Sequence, residues 1–164
     1  MRMLRSTGEV ELDSWQVLRG DDVATDALPA DNLIVSLALW RNTPSLAQTH
    51  RDRIGVWLLN SDEPESLTPD VLALPIIAVD FPAFNDGRGL STAVLLRTRM
   101  GFKGDLRAIG AVQLDQLNYM SRCGFTSFAL AEDADADAMR HHLVVMSEYY
   151  QSSATEPRPL FRRR

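Results

Sequence analysis

The segment that decides the fold runs from residue 80 to residue 110 and reads DFPAFNDGRGLSTAVLLRTRMGFKGDLRAIG. It continues an apolar run, and the helix-like stretch in its middle ends at Gly101 before a second apolar run begins. Glycine and proline mark both transitions, as they do at the ends of helices and strands. The order strand, loop, helix, strand predicts a βαβ unit whose two strands pair in parallel.

The same alternation of predicted strands and helices continues on both sides of this segment. Apolar runs of strand length alternate with segments that have helical spacing or helix-capping residues. The predicted strands cover residues 33–39, 54–59, 75–81, 104–110 and 126–131. The predicted helices cover residues 43–53, 61–74, 90–100, 112–123 and 133–151.

This order predicts an α/β protein with a parallel sheet of about five strands, built from βα repeats. Two architectures fit: a partial barrel that resembles half of a TIM barrel, and an open doubly wound sheet. Residues 8–19 predict a short N-terminal β arm, and the polar residues 20–32 predict a loop. We expect a single α/β domain over residues 1–151 and a disordered basic tail over residues 152–164.

The composition limits the classes of function. The chain has 164 residues, a net charge of −5 and a pI near 5.1, which argues against nucleic-acid binding because that activity needs a basic face. The N-terminus lacks the apolar core of a signal peptide, and no apolar run approaches the ~20 residues of a membrane span. We therefore expect a cytoplasmic protein that binds neither nucleic acid nor membrane.

The cysteine and the histidines predict no disulfide and no metal site. Cys123 is the single cysteine, and it lies on the apolar side of a predicted helix, where an inert core thiol is expected. His141 and His142 are neighbours, so on a helix they point about 100° apart and cannot face one metal. His50 stands alone in the sequence.

The loop after the third predicted strand is the strongest site candidate, because ligands in parallel α/β folds bind beyond the carboxyl ends of strands. Its Gly87-Arg88-Gly89 triplet combines backbone freedom with a cation, and Ser91 is expected to cap the next helix. A glycine-rich loop at a helix N-terminus is typical of anion sites, and Asp86 would orient the anion. The alternative is a tight turn that exposes an arginine.

The triplet does not match the known nucleotide motifs. It lacks the glycine spacing of dinucleotide sites and the Gly-Lys-Ser/Thr ending of a P-loop. The chain also shows no Ser-His-Asp order or paired-histidine motif. The residues by themselves therefore name no cofactor and no catalytic group.

Arg97 falls inside the apolar face of its predicted helix, where a charge must find a partner or extend to the rim. The candidate partners are Asp80, Asp86 and Asp105. Together with Arg88, either Arg97 or Arg107 would hold the anion.

The loop after the fourth predicted strand contributes two further candidates. Gln116 faces inward from the first turn of the next helix, towards the strand ends. Asp115 lies on a different face, where it would orient the ligand or form a surface pair with Arg122.

Five sequence elements resemble the bacterial family called domain of unknown function 934. They are FPAFNDGRGLSTA (81–93), LRTRMGFKG (96–104), LRAIG (106–110), DQ (115–116) and RCGF (122–125). The resemblance extends over nearly the whole chain. Two positions depart from the family pattern: Leu90 replaces an aromatic residue and Ala111 replaces an acid, so an acidic role at Ala111 is absent here.

Members of this family are labelled oxidoreductases of sulfite reduction, since their genes tend to lie beside sulfite reductase. That link is an association and supplies no mechanism. The resemblance implies an accessory protein or oxidoreductase of assimilatory sulfite reduction, which binds an anion such as sulfite or adenylylated sulfate. Its electrons or cofactor would come from a partner.

Two alternatives stay open from the sequence. The first is a non-catalytic adaptor that docks on sulfite reductase, with the arginines as interface hot spots. The second makes the motif structural, with Arg97 in a buried pair with Asp80 or Asp105.

Overall fold

A computed structural model describes residues 2–20, 32–49, 51–131 and 134–163. A mixed sheet of eight strands forms its centre and curls into a half-barrel. The strands are β1 (Arg2–Arg5), β2 (Val10–Leu12), β3 (Trp15–Val17), β4 (Asn32–Ser36), β5 (Ile54–Leu58), β6 (Ile76–Phe81), β7 (Asp105–Gly110) and β8 (Ser127–Leu130). Their order across the sheet is β2-β1-β8-β7-β6-β5-β4-β3.

Six α-helices belong to the part of the chain that the structure describes. They are α1 (Leu37–Asn42), α2 (Pro44–Thr49), α3 (Pro69–Leu72), α4 (Arg88–Thr98), α5 (Leu117–Cys123) and α6 (Ala136–Leu143). None of these helices is both long and apolar enough to cross a membrane.

The prediction of a parallel sheet of about five strands was wrong in extent and in strand direction. The five predicted strands correspond to β4–β8, which are parallel, and β3 adds a sixth parallel strand beside β4. The predicted N-terminal β arm over residues 8–19 contains β2 and β3, which form the two opposite edges of the sheet. β1 precedes that arm and was not predicted, and it pairs antiparallel with both β8 and β2.

The strand order decides between the two predicted architectures. From β3 to β8, each strand pairs with the next one along the chain. A doubly wound sheet instead reverses its order at a switch point. A sheet that adds every strand on the same side curls, as in a partial barrel.

The two faces of the sheet have different roles. Ile77, Val79 and Phe81 on β6 point to the face that packs against the helices and forms the main core. The intervening side chains of the strands form a smaller cluster on the opposite face, made of residues from strands alone. The members of that cluster are Ile34, Ile76, Ala78 and Ile109, with Trp15, Val17, Trp57 and Ala129 packed against them.

The connection between β2 and β3 shows which face is concave. These strands form the opposite edges of the sheet, yet only Asp13 and Ser14 separate them in the sequence. The sheet therefore bends until its two edges meet at this corner. Asp13 contacts Arg107, whose side chain lies on the face without helices, so that face is the concave one.

Local sequence signals explain several shifted boundaries. α1 begins inside the predicted first strand because Ser36 Oγ accepts a hydrogen bond from the N–H of Leu39 at 3.0 Å. The predicted helix over 61–74 is reduced to a 3₁₀ turn at Pro64–Ser66 and the short α3, each with a proline at its start. The predicted end of α5 at Gly124 is confirmed, since this residue has a φ of 109°.

Some predicted segments are shorter than expected or lie outside the described residues. α6 ends at Leu143, well before residue 151. Most of the predicted loop over 20–32, and also His50, lie outside the described ranges. Residues after 152 contact α5, since the N–H of Ala154 donates to the carbonyl of Arg122 at 3.1 Å. The disorder of this tail stays a prediction.

Candidate functional site

An ion pair between Asp86 and Arg88 organises the loop that follows β6. Arg88 donates from Nε to Asp86 Oδ1 at 2.9 Å and from Nη2 to Asp86 Oδ2 at 2.6 Å. The backbone N–H of Arg88 donates to Asp86 Oδ1 at 3.2 Å. Because Arg88 is the first residue of α4, the Asp86 carboxylate lies at the helix N-terminus, where an external anion was expected.

Both members of this pair are charged at neutral pH. Hydrogen bonding from Arg88 holds the pKa of the Asp86 carboxyl far below its ordinary value of 3.8. The carboxylate in turn raises the pKa of Arg88. An exposed pair of this kind adds little to folding stability, so its main effect is to fix the direction of the guanidinium.

The two glycines of the triplet have different roles. A Cβ at Gly89 would lie 2.8 Å from Phe81 Cζ and 2.9 Å from Val79 Cγ1, so this glycine lets α4 approach β6 closely. Gly87 has a φ of −80° and free space around it, so it has no need of glycine's backbone freedom. The predicted cap at Ser91 was wrong, because Gly87 holds the N-cap position and Ser91 is an exposed residue within the helix.

Arg97 is a structural residue that binds backbone carbonyl groups. Its Nε donates to the carbonyl of Gly124 at 2.9 Å. Its Nη1 donates to the carbonyls of Phe102 and Gly104 at 2.8 and 2.9 Å. Burial lowers the pKa of Arg97. The side chain thereby joins the end of α4 to the starts of β7 and β8.

The predicted carboxylate partners of Arg97 were wrong. The guanidinium reaches Asp105 only through Thr126, whose hydroxyl lies 3.4 Å from Arg97 Nη2 and donates to Asp105 Oδ1 at 2.7 Å. Carbonyl oxygens can satisfy a buried arginine without a direct ion pair, and the sequence gives no sign of which carbonyls lie within reach.

Arg107 is fully buried in a polar network on the concave face. Its Nη1 donates to both carboxylate oxygens of Asp13 at 2.7 and 2.8 Å. Its Nε donates to Ser127 Oγ at 3.1 Å, and its Nη2 donates to Asp105 Oδ2 at 3.2 Å. These bonds stabilise the curled sheet. Arg107 is therefore buried inside the curl, whereas Arg88 is exposed to solvent.

Gln116 and Asp115 lie at the same end of the sheet as Arg88. Gln116 Nε2 donates to the carbonyl of Phe84 at 2.6 Å, which ties the loop after β7 to the loop after β6. Asp115 is exposed. The predicted partner of Asp115, Arg122, stacks on the ring of Tyr149 instead, at 4.3 Å from its centroid.

Three exposed apolar side chains lie at the same end of the sheet as the Gly-Arg-Gly loop. Leu59 directly follows β5, Phe84 lies in the loop after β6, and Leu114 lies in the loop after β7. The carboxyl ends of β5, β6 and β7 meet at one edge, because these strands are parallel neighbours. Asn60, next to Leu59, lies close enough to Asp86 to lower the pKa of its carboxyl. We call Leu59, Phe84, Arg88 and Leu114 the carboxyl-edge patch.

The structure thus brings most of the predicted site residues together at the carboxyl edge and separates two of them from it. Asp86, Gly87, Arg88, Gly89, Ser91, Asp115 and Gln116 lie on the loops and helix starts at the carboxyl edge. Arg97 and Arg107 lie elsewhere. Sequence reasoning missed the apolar part of this edge, although Phe84 stands out as an aromatic residue in an otherwise polar loop.

The family resemblance is confirmed. No curated protein and no solved structure shows significant similarity to the chain. Residues 55–161, more than half of the chain, match the model of the family described as "Bacterial protein of unknown function (DUF934)". They include β6–β8, all of β5 except Ile54, the Gly-Arg-Gly loop and the whole carboxyl-edge patch. The protein therefore belongs to the DUF934 family.

Proposed function

We propose that this protein is an accessory protein of assimilatory sulfite reduction that docks on sulfite reductase through the carboxyl-edge patch. The choice of process and partner rests on the family resemblance. The choice of docking rests on one observation: the edge presents an oriented arginine among exposed apolar side chains.

The exposure of the patch supports a binding role. Phe84 is 62% exposed and the side chain of Arg88 is 66% exposed. Aromatic and arginine side chains are the residues most enriched in protein interfaces and among their hot spots. Apolar side chains grouped around them on a surface favour a partner that covers them.

The fixed geometry of the edge supports the same role. Asp86 holds the guanidinium of Arg88 through two of its nitrogens, and Gln116 holds the backbone of Phe84. An interface whose side chains are already oriented loses less conformational entropy on binding. The edge therefore has the properties of a preorganised docking surface.

A second candidate is a small-anion site at the Gly-Arg-Gly loop, serving an oxidoreductase that takes its cofactor or electrons from a partner. One observation favours it: Nη1 of Arg88 makes no bond among the described residues, and so it could bind sulfite or adenylylated sulfate. Binding at the helix N-terminus itself would require the anion to displace the Asp86 carboxylate, which already bonds there.

The docking proposal is tested by measuring the affinity of the purified chain for sulfite reductase from the same bacterium, immobilised on a sensor surface. Phe84→Ala and Arg88→Ala should each weaken binding by about tenfold or more, as hot-spot residues do. Two matched controls should bind like the parent protein. Phe161→Ala removes a ring of 61% exposure, and Arg158→Ala removes an arginine of 67% exposure that pairs with Glu156 two residues before it.

Equal affinity of the patch variants and their controls would reject the docking proposal. The second candidate is tested separately by the effect of sulfite, sulfate and adenylylated sulfate on the melting temperature. A specific ligand at a hundredfold excess over Kd stabilises the protein by about 2.7 kcal/mol. Arg88→Ala should abolish that shift, whereas Arg158→Ala should preserve it.

A further inference from the structure

A cavity of about 950 Å³ lies on the concave face of the sheet, and no residue of the carboxyl-edge patch lines it. One wall is formed by β3 and the residues around it, and the opposite wall by the carboxyl-terminal parts of β7 and β8. None of the nine site residues predicted from the sequence lines it within the described part of the chain. Its volume lies within the range of small-molecule sites in proteins.

The walls of this cavity present apolar surface. Trp15 and Val17 on β3, and Ala129 on β8, are only half-buried although they belong to the cluster on the concave face. Ile109 on β7 also lines the cavity. A flat apolar body could lie against these side chains and bury surface that the protein leaves exposed.

Arg19 is the charged side chain that this cavity offers to a ligand. Among the described lining residues only Asp13 and Arg19 are charged. The Asp13 side chain is 2% exposed and is neutralised by Arg107, whereas the Arg19 side chain is 50% exposed. The charged group that a ligand can reach on the wall is therefore the guanidinium of Arg19.

The guanidinium of Arg19 is also held in position. Its Cζ lies 5.5 Å from the ring centroid of Trp57, and the indole Nε1 of Trp57 donates to the carbonyl of Leu18 at 3.0 Å. Arg19 Nη2 lies 2.8 Å from Asp80 Oδ1. This contact is an ion pair without an aligned hydrogen bond, since Oδ1 of Asp80 has no hydrogen-bond partner. Asp80 therefore contacts one nitrogen of the guanidinium, and Nε and Nη1 of Arg19 make no hydrogen bond among the described residues.

We propose that the concave cavity binds a small organic anion. The apolar body of the ligand lies between Trp15, Val17, Ile109 and Ala129, and its carboxylate, sulfonate or phosphate group pairs with Arg19. Asp80 and Trp57 are positioning residues that orient the guanidinium. This inference goes beyond the docking function and uses none of the residues of the carboxyl-edge patch.

The experiment uses two fluorescent probes with the same aromatic body and the complete chain. Anilinonaphthalene sulfonate carries the anionic group, and N-phenylnaphthylamine lacks it. We expect saturable binding of the sulfonate at one site. Arg19→Gln should weaken sulfonate binding by about tenfold or more, the value of a charged hydrogen bond, and change binding of the neutral probe by less than about twofold.

Three further variants locate the binding site. Ala129→Phe fills the cavity and should weaken binding of both probes. Val17→Phe fills it from the opposite wall and replaces Ala129→Phe if that variant does not fold, as judged by circular dichroism. Arg158→Gln removes an exposed, paired arginine outside the cavity and should leave binding of both probes unchanged.

The proposal is overturned by any of three results. The first is no saturable binding of the sulfonate. The second is an equal effect of Arg19→Gln and Arg158→Gln on sulfonate binding. The third is unchanged binding of both probes to a folded cavity-filling variant.

Discussion

Arg107 and Asp13 form a buried, doubly hydrogen-bonded ion pair that joins the middle of the sheet to the corner between its two edges. Both Asp13 oxygens accept from Arg107 Nη1, at 2.7 and 2.8 Å. Asp13 also accepts from the N–H of Trp15 at 3.0 Å, which shapes the turn into β3. The pair therefore connects residues 94 positions apart and holds the curl that creates the concave face.

Arg107→Met should destabilise the protein strongly. It leaves the carboxylates of Asp13 and Asp105 without their buried cation, and breaking such a pair lowers the free energy of unfolding by about 3–5 kcal/mol. Urea unfolding of the variant and of the parent protein measures this change. Arg158→Met, at an exposed arginine, should lower it by less than about 0.5 kcal/mol. A loss as small as that of the control would show that the pair does not hold the sheet.

The double variant Asp13→Asn/Arg107→Met should lose less stability than the sum of the two single variants. Each single change leaves a charged partner buried, whereas the double change removes both charges of the pair. Residues in direct contact show coupling energies of about 0.5–3 kcal/mol. A fully additive result would mean that the two side chains act independently.

Gly89→Ala should destabilise the protein far more than Gly87→Ala, although the two glycines flank one arginine. The new Cβ at residue 89 meets Phe81 and Val79 at 3.0 Å or less, and overpacking costs about 1–3 kcal/mol. The new Cβ at residue 87 meets only Leu90 Cδ1, at 3.7 Å. Its effect on the free energy of unfolding should be smaller than about 1 kcal/mol, because the lost entropy of the unfolded chain is offset by the weaker preference for alanine at an N-cap. Chemical denaturation measures both variants, and an equal loss in the free energy of unfolding would contradict these different roles of the two glycines.

The Asp86–Arg88 pair should make stability depend on pH in acid. The folded-state pKa of Asp86 is lowered, so its carboxylate contributes stability above the unfolded-state pKa, near its ordinary value of 3.8. That contribution is lost as the pH falls from this value through the lower folded-state pKa. The melting temperature of the parent protein should therefore exceed that of Asp86→Asn by a constant amount near neutral pH.

The same difference in melting temperature should shrink as the pH falls below about 4, where the unfolded-state carboxyl becomes protonated. The melting temperature of Arg88→Ala should depend less on pH in this range than that of the parent protein, because the substitution removes the main cause of the lowered pKa of Asp86. A difference that grows on acidification would reverse the assigned direction of the pKa shift.

Arg97→Met should destabilise the protein without altering the carboxyl-edge patch. The substitution leaves the carbonyls of Phe102, Gly104 and Gly124 without their donor, and each unsatisfied buried group costs about 1–3 kcal/mol. Arg99→Met, two residues further along and exposed, is the matched control. Thermal unfolding measures the difference between them. Similar melting temperatures for both variants would show that water replaces Arg97 at these carbonyls.

The amino-acid sequence by itself determined the βαβ units and the family. The apolar runs of β4–β8 and the turn residues between them are local signals, since strand and turn preferences depend on residues close in the chain. The left-handed Gly124 at the end of α5 was predictable for the same reason. The Gly-Arg-Gly loop could be placed beyond the carboxyl end of a strand because parallel strands share one direction.

The tertiary structure alone decided what the arginines do. Arg88, Arg97 and Arg107 look alike in the sequence, yet one is displayed beside Asp86, one binds backbone carbonyls, and one is buried against Asp13. Gly124 lies 27 positions from Arg97 and Asp13 lies 94 positions from Arg107, and local pattern carries no information about contacts at such separations. The concave cavity and the position of Arg19 depend in the same way on the curl of the sheet, which exists only after β2 and β3 have taken its two opposite edges.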